Sequence, residues 1–160
     1  PPMTDWIDDR AEGLQQQRDQ QREAGRLQLH RAQVVQDKGR PFLDALTQQA
    51  ATDVAKYQHK FSGNAERGVD FSVKPSGGFK LYKSHYPAGS VEIELRGAEI
   101  IATYAFTPAS GRTTTRYDLR FPLEIDTRDN ITLRAPDGAR LPDLGGASRQ
   151  LLECVLFPVE

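Results

Sequence analysis

The chain has one cysteine, no long apolar run and no excess of charge of either sign, and each shortage removes a class of protein. Cys154 is the only cysteine among 160 residues. No disulfide can therefore form within the chain, and the usage fits a reducing compartment. No stretch approaches the roughly 18 apolar residues that a bilayer-spanning helix needs, and the N-terminal residues carry no apolar signal core. The expectation is a cytoplasmic protein without membrane contact, with Met3 as its natural start after an appended Pro1-Pro2. Asn130-Ile131-Thr132 matches a glycosylation acceptor, but by chance in that setting.

Lys and Arg total 21 against 22 Asp and Glu, a formal charge of -1. Residues 1–60 hold nine of each sign, which leaves 12 basic and 13 acidic beyond them. Proteins that bind nucleic acids usually carry a basic excess, because neutralising phosphates and releasing counterions supplies most of their non-specific affinity. The balance argues against that role and leaves room only for a local patch.

Chemistry-bearing groups are equally sparse. His30 and His59 have no second ligand at the spacings of a zinc site, so no metal and no cofactor is expected. His85 could act as a base toward Cys154 only if the two met and the thiolate were stabilised. Cys154 instead lies between Leu151, Leu152, Val155 and Leu156, the setting of a buried structural thiol. Asp126 and Asp129 bracket Thr127-Arg128, where such residues bond their own backbone in a turn. Ser76-Gly77-Gly78 has no helix N-terminus after it to complete a phosphate cradle. No pattern identifies an enzyme.

What the chain does have is a change of pattern near Phe61. Upstream runs a Gln- and Arg-rich stretch of strong helix formers, without proline from Met3 to Arg40. Thr4 or Asp5 can cap its start, and Asp8, Asp9 and Glu12 suit the positive end of its dipole. Ile7, Leu14, Gln21, Gln28, Val35 and Phe42 recur seven apart, interleaved with Ala11, Arg18, Gly25, Ala32 and Gly39. This heptad-like stripe predicts a helical arm over residues 3–38, a possible coiled coil with polar layers at Gln21 and Gln28. The stripe is irregular, so the same arm could pack on its own body. Trp6, the only tryptophan, with Leu14, Gln21, Gln28 and Val35, is the expected partner-binding set.

At Gly39-Arg40-Pro41 the helix is expected to kink or break. Pro41 suits the first turn of a second helical segment, in which Phe42, Leu46, Ala50, Val54, Tyr57 and Phe61 form a better apolar stripe. Residues 41–160 are thus expected to form the body, this segment covering a sheet.

Downstream, short alternating runs are separated by Gly and Pro. Val69, Phe71 and Val73 alternate with polar residues, as do Val91, Ile93 and Leu95. Thr113, Thr115, Tyr117, Leu119 and Phe121 do the same with Arg112, Thr114, Arg116, Asp118 and Arg120. About six strands joined by short turns imply an antiparallel meander. Residues from Gly145-Gly146-Ala147-Ser148 to Leu156 predict a C-terminal helix on one sheet face. The fold class is α+β.

The leading functional expectation is a non-enzymatic module that self-associates through its arm, a homodimer or other homo-oligomer, and presents arm and sheet face to a protein partner. Two alternatives stand beside it. Lys80, Tyr82, Arg112, Arg116 and Arg120, with Lys83 adding charge, could form an anion- or nucleic-acid-binding sheet face, or they could pair with Glu92, Glu94 and Glu99 in a solvated ladder. A pocket between sheet and helix, lined by Tyr104, Tyr117 and His85, would instead suit a small-molecule-binding domain or a small enzyme.

Overall fold

Asp5 starts the first helix by accepting the amide of Ile7 on its carboxylate at 3.0 Å. The computed structural model describes residues 5–159, so Met3 and the alternative cap Thr4 lie outside the described residues. Helix α1 (Trp6–Lys60) has 55 residues, a length of about 80 Å at the α-helical rise. After a short turn at Ala65–Arg67 come β1 (Val69–Val73), β2 (Phe79–Lys83), β3 (Ala88–Arg96), β4 (Glu99–Thr107), β5 (Thr115–Ile125), β6 (Ile131–Arg134) and β7 (Arg140–Leu141). Each strand pairs antiparallel with the next, in the order β1-β2-β3-β4-β5-β6-β7. The meander expected from the sequence is present, with the two-residue β7 as a seventh strand. Helix α2 (Leu144–Leu156) begins at Asp143, whose carboxylate accepts the amide of Gly146 at 2.6 Å. Among the described residues no helix is long and apolar enough to cross a membrane.

The sheet curves into a half-barrel whose concave face is filled by α2 and by the second half of α1. Phe79, Val91, Ile93, Ile100 and Phe121 from the strands are fully buried against Leu151 of α2 and Leu46 and Ala50 of α1. Each large apolar side chain so buried contributes about 1.5–3 kcal/mol. Two tyrosines reach polar partners from inside this core. Tyr104 donates to the carbonyl of Leu151 at 2.8 Å and Tyr57 to that of Leu156 at 3.1 Å. Buried hydroxyls need such acceptors.

Helix α1 continues through Pro41 into the segment expected from residue 41. The proline ring is exposed, and the buried residues Leu43, Leu46 and Thr47 follow directly. Pro41 therefore separates no two helices, and the change of environment comes earlier. From Asp5 to Gln33 every residue is exposed except half-buried Gly25. Val34 is the first buried residue, and Gly39 lies so close to the sheet that an added Cβ would sit 3.4 Å from Leu95 Cδ2. Just before it, His30 Nε2 lies 3.0 Å from Asp129 Oδ2, and Lys38 donates to the Asp129 carbonyl at 2.8 Å. Arg40 donates to the Ser76 carbonyl at 3.0 Å. The body grips the helix from His30 onward.

Candidate interaction surfaces

The arm, residues 6–29, consists of α1 outside that grip. The body supplies its helix nucleus. Starting a helix is the unfavourable step, and residues 34–57 are already fixed by burial, so the arm only propagates existing turns. Its apolar side chains find no cover in their own chain: Trp6, Ile7, Leu14 and Leu29 are 70%, 55%, 59% and 75% exposed. Of the expected partner-binding set, Trp6, Leu14, Gln21 and Gln28 lie on this free stretch. Val35 does not, because it packs against the core and lines a hollow with Ala98 and Leu123.

A second surface lies where α1 and α2 run side by side in the same direction. Leu144 at the start of α2 shares a hollow with Phe42 and Ala45, and Leu156 at its end meets Tyr57. Between their outward edges is an open groove of about 550 Å³, with Tyr57, Phe61, Leu152 and Phe157 in its floor and Lys56, Lys60 and Arg149 on its rim. Tyr57 packs at a tilt on Phe61 and edge-on against Phe157, at 4.8 and 5.4 Å between centroids, and Phe157 stays 50% exposed. Arg67 lies over both Phe61 and Phe157, at 5.2 and 5.7 Å. Ser148 Oγ, in the same floor, is buried without a hydrogen-bond partner.

The outer face of the sheet is mixed in charge. The register places Lys80 beside Glu92, then Thr103 and Asp118, and places Tyr82 beside Ser90, Ala105 and Arg116. Lys74 Nζ lies 2.7 Å from Glu92 and 4.0 Å from Glu94, which also pairs with Arg96. The hydrogen bond from Lys74 holds the Glu92 carboxyl below its ordinary range. Arg120 approaches Glu99 at 3.8 Å. Arg116 stands opposite Ala105, and Arg112 lies before β5 in the connecting loop, off the sheet face where the alternation placed it. Lys83 also departs from expectation. It points inward, 3% exposed, and donates to the carbonyls of His85 at 2.7 Å and Pro87 at 3.0 Å. Burial, and then the charge of Arg67, pushes its amine below the ordinary lysine range.

The space between sheet and α2 is occupied by side chains. Tyr104 is 1% exposed and stacks with Phe106 and Tyr117 at 5.8 and 5.3 Å. Burial raises its pKa, and Tyr117 shifts the same way for the same reason. His85 lies exposed in the β2–β3 loop. Cys154 is half-buried, and burial pushes its thiol up, with no basic side chain acting to lower it. That is the opposite of nucleophile activation.

The turn reading holds for Asp126 and not for Asp129, whose carboxylate reaches His30 on α1 instead of its own backbone. Asp126 accepts the amides of Arg128 and Asn130 at 2.8 and 2.9 Å, which keep its carboxyl below the ordinary range. Gly78, at φ 86°, leaves no room for a side chain, since a Cβ would fall 1.9 Å from the Ile93 carbonyl oxygen. The groove and the role of Asp129 as the seat for His30 and Lys38 escaped sequence reasoning. Both depend on elements 90 or more residues apart, such as His30–Asp129 with 99 between their positions. Among the described residues no cluster of three His, Cys, Asp or Glu is placed to hold a metal. No protein-family model, curated protein or solved structure matches the chain.

Proposed function

We propose that this protein is a self-associating interaction module whose contact element is the projecting arm, residues 6–29 of α1. One observation carries the reading: a continuous run of helix holds Trp6, Ile7 and Leu14 more than half exposed while the rest of the chain closes around a core without them. Large apolar side chains grouped on one helix end gain free energy only from burial against something else. A second copy presents the same stripe, and the small residues Ala11 and Gly25 let another helix come close. The mixed charge of the outer sheet face gives the nucleic-acid alternative no comparable support, because Glu92, Glu94 and Glu99 stand among its lysines and arginines.

Sedimentation velocity over a wide concentration range tests this. The expected result is a rise above the 17.9 kDa monomer as concentration increases, absent in a chain carrying Trp6→Ala, Ile7→Ala and Leu14→Ala. A monomer at every concentration would refute the reading.

A further inference from the structure

We infer that the groove between α1 and α2 receives the N-terminal tip of the arm of a second copy, seated by Asp8 and Glu12 of one chain on Lys60 and Lys56 of the other. The inference rests on the self-association just proposed and adds the place where the arm docks.

The groove has an apolar floor and, on its rim, two exposed lysines without an ion-pair partner among the described residues. Asp53 is engaged by Gln49 at 3.1 Å and Arg149 is paired with Glu153 at 3.1 Å. Lys56 and Lys60 are exposed and enter no ion pair among the described residues, and the same is true of Asp8 and Glu12. The tip is the chemical complement. Residues 5–14 carry Asp5, Asp8, Asp9 and Glu12 against Arg10 alone. They also carry the exposed apolar side chains Trp6, Ile7 and Leu14. An amphipathic helix laying its apolar side into a groove between two others is a common recognition mode.

Spacing and reach choose the occupant. Asp8 and Glu12 are four residues apart on one helix face, as are Lys56 and Lys60, so an antiparallel approach matches Asp8 with Lys60 and Glu12 with Lys56. Tip and groove belong to one helix and lie about 65 Å apart along it, so the tip cannot enter its own groove. The occupant must come from another chain.

Reciprocal docking also closes. The pairs 8 with 60 and 12 with 56 share the midpoint 34, so a two-fold axis would run between the two antiparallel helices level with Val34. The two bodies then sit at opposite ends of the paired helices.

Trp6, as the only tryptophan, reports docking directly. In the full chain its emission should move to shorter wavelength as concentration rises through the association range. Lys56→Glu with Lys60→Glu should weaken association roughly 30-fold at low salt and move the shift to correspondingly higher concentration, as should Asp8→Lys with Glu12→Lys. The chain carrying all four changes should regain both. Far-ultraviolet circular dichroism checks that each variant is folded, and all four positions are exposed. If the unaltered chain stays monomeric, the self-association reading falls and this inference with it. If it associates and the Lys56→Glu, Lys60→Glu chain associates equally well with the same shift, the groove is not the site and self-association stands. Failure of the four-fold variant to recover, when both double variants are impaired, would overturn the charge pairing.

Discussion

Removing residues up to 29 should leave the body almost unchanged and removing residues up to 40 should destabilise it, because the grip on α1 starts at His30. The shorter deletion takes away exposed side chains whose hydrogen bonds, Gln15 with Asp19 and Arg26 with Glu23, stay within the arm, Gly25 being the one half-buried position. Its effect on monomer stability should stay within about 0.5 kcal/mol. The longer deletion removes Val34, which is 8% exposed, half-buried Val35, and the contacts of Lys38 with Asp129 and Arg40 with Ser76. Burial at this level contributes about 2 kcal/mol for Val34 and about 1 for Val35, and the exposed polar contacts add about 1 together, a loss of about 4 kcal/mol. Pro41 would then stand at the first helical position, where its missing amide costs nothing, so a poor helix start would not account for the loss. Urea unfolding at a concentration low enough to keep every chain monomeric reads the difference. If both deletions destabilise equally, the arm is held by contacts other than those described. If neither does, the stretch 30–40 contributes nothing to the body.

Two further outcomes can be read by the same method. Lys83→Met should cost about 1–2 kcal/mol at neutral pH, because the carbonyls of His85 and Pro87 lose their donor. The folded pKa of Lys83 lies below its unfolded value, so the unfolded chain binds more protons between the two. Stability from this group therefore rises with pH toward 10.5, and the gap between parent and variant should widen from pH 8 to pH 10; a constant gap would show that the amine is not desolvated. Pro41→Ala should stabilise the chain by about 2 kcal/mol, since an exposed proline inside a continuous helix removes a hydrogen bond and crowds the preceding turn. A destabilised variant would mean that the proline supports a bend the body requires.

The strands were legible because their inward and outward residues alternate with period two, as at Phe79, Leu81 and Lys80, Tyr82. The limits of the same rule appear at Lys83. It occupies an inward position in β2, and only the carbonyls of a loop that folds beneath it make that burial tolerable. Alternation also extended β5 back to Arg112, but the strand begins at Thr115, and its first four residues, through Asp118, are exposed whichever way they point. A local pattern records which face a residue would take, not whether the sheet has a neighbour there to cover it. Pro41 illustrates a different conflict. A proline outweighs its neighbours when helix propensity alone is considered, whereas buried Leu43, Leu46 and Ala50 hold the helix on course. The arm was legible as a heptad-like stripe, but where it ends was not. That boundary is set by Asp129 and Leu123, which approach α1 only after the chain has folded back. The groove required the pairing of α1 with α2 and was invisible for the same reason.

The arm and the body are energetically dependent in one direction only. An isolated helix as polar as residues 6–29 is marginal in water, so its helicity is borrowed from the anchored turns beyond Val34. Unfolding the body therefore melts the arm, whereas losing the arm leaves the body intact. In the proposed association, a few apolar side chains at the tip and two exposed charge pairs would make the contact reversible and sensitive to salt. Any substitution that loosens the grip at Val34, Gly39 or Asp129 should then weaken self-association without touching the tip or the groove. Gly39→Leu is such a case, because the new side chain must displace Leu95 and Leu123. It should lift α1 from the sheet, shorten the ordered arm and raise the dissociation constant while Trp6, Lys56 and Lys60 remain in place. Unchanged association in a chain with measurably reduced stability would show that arm and body are independent after all.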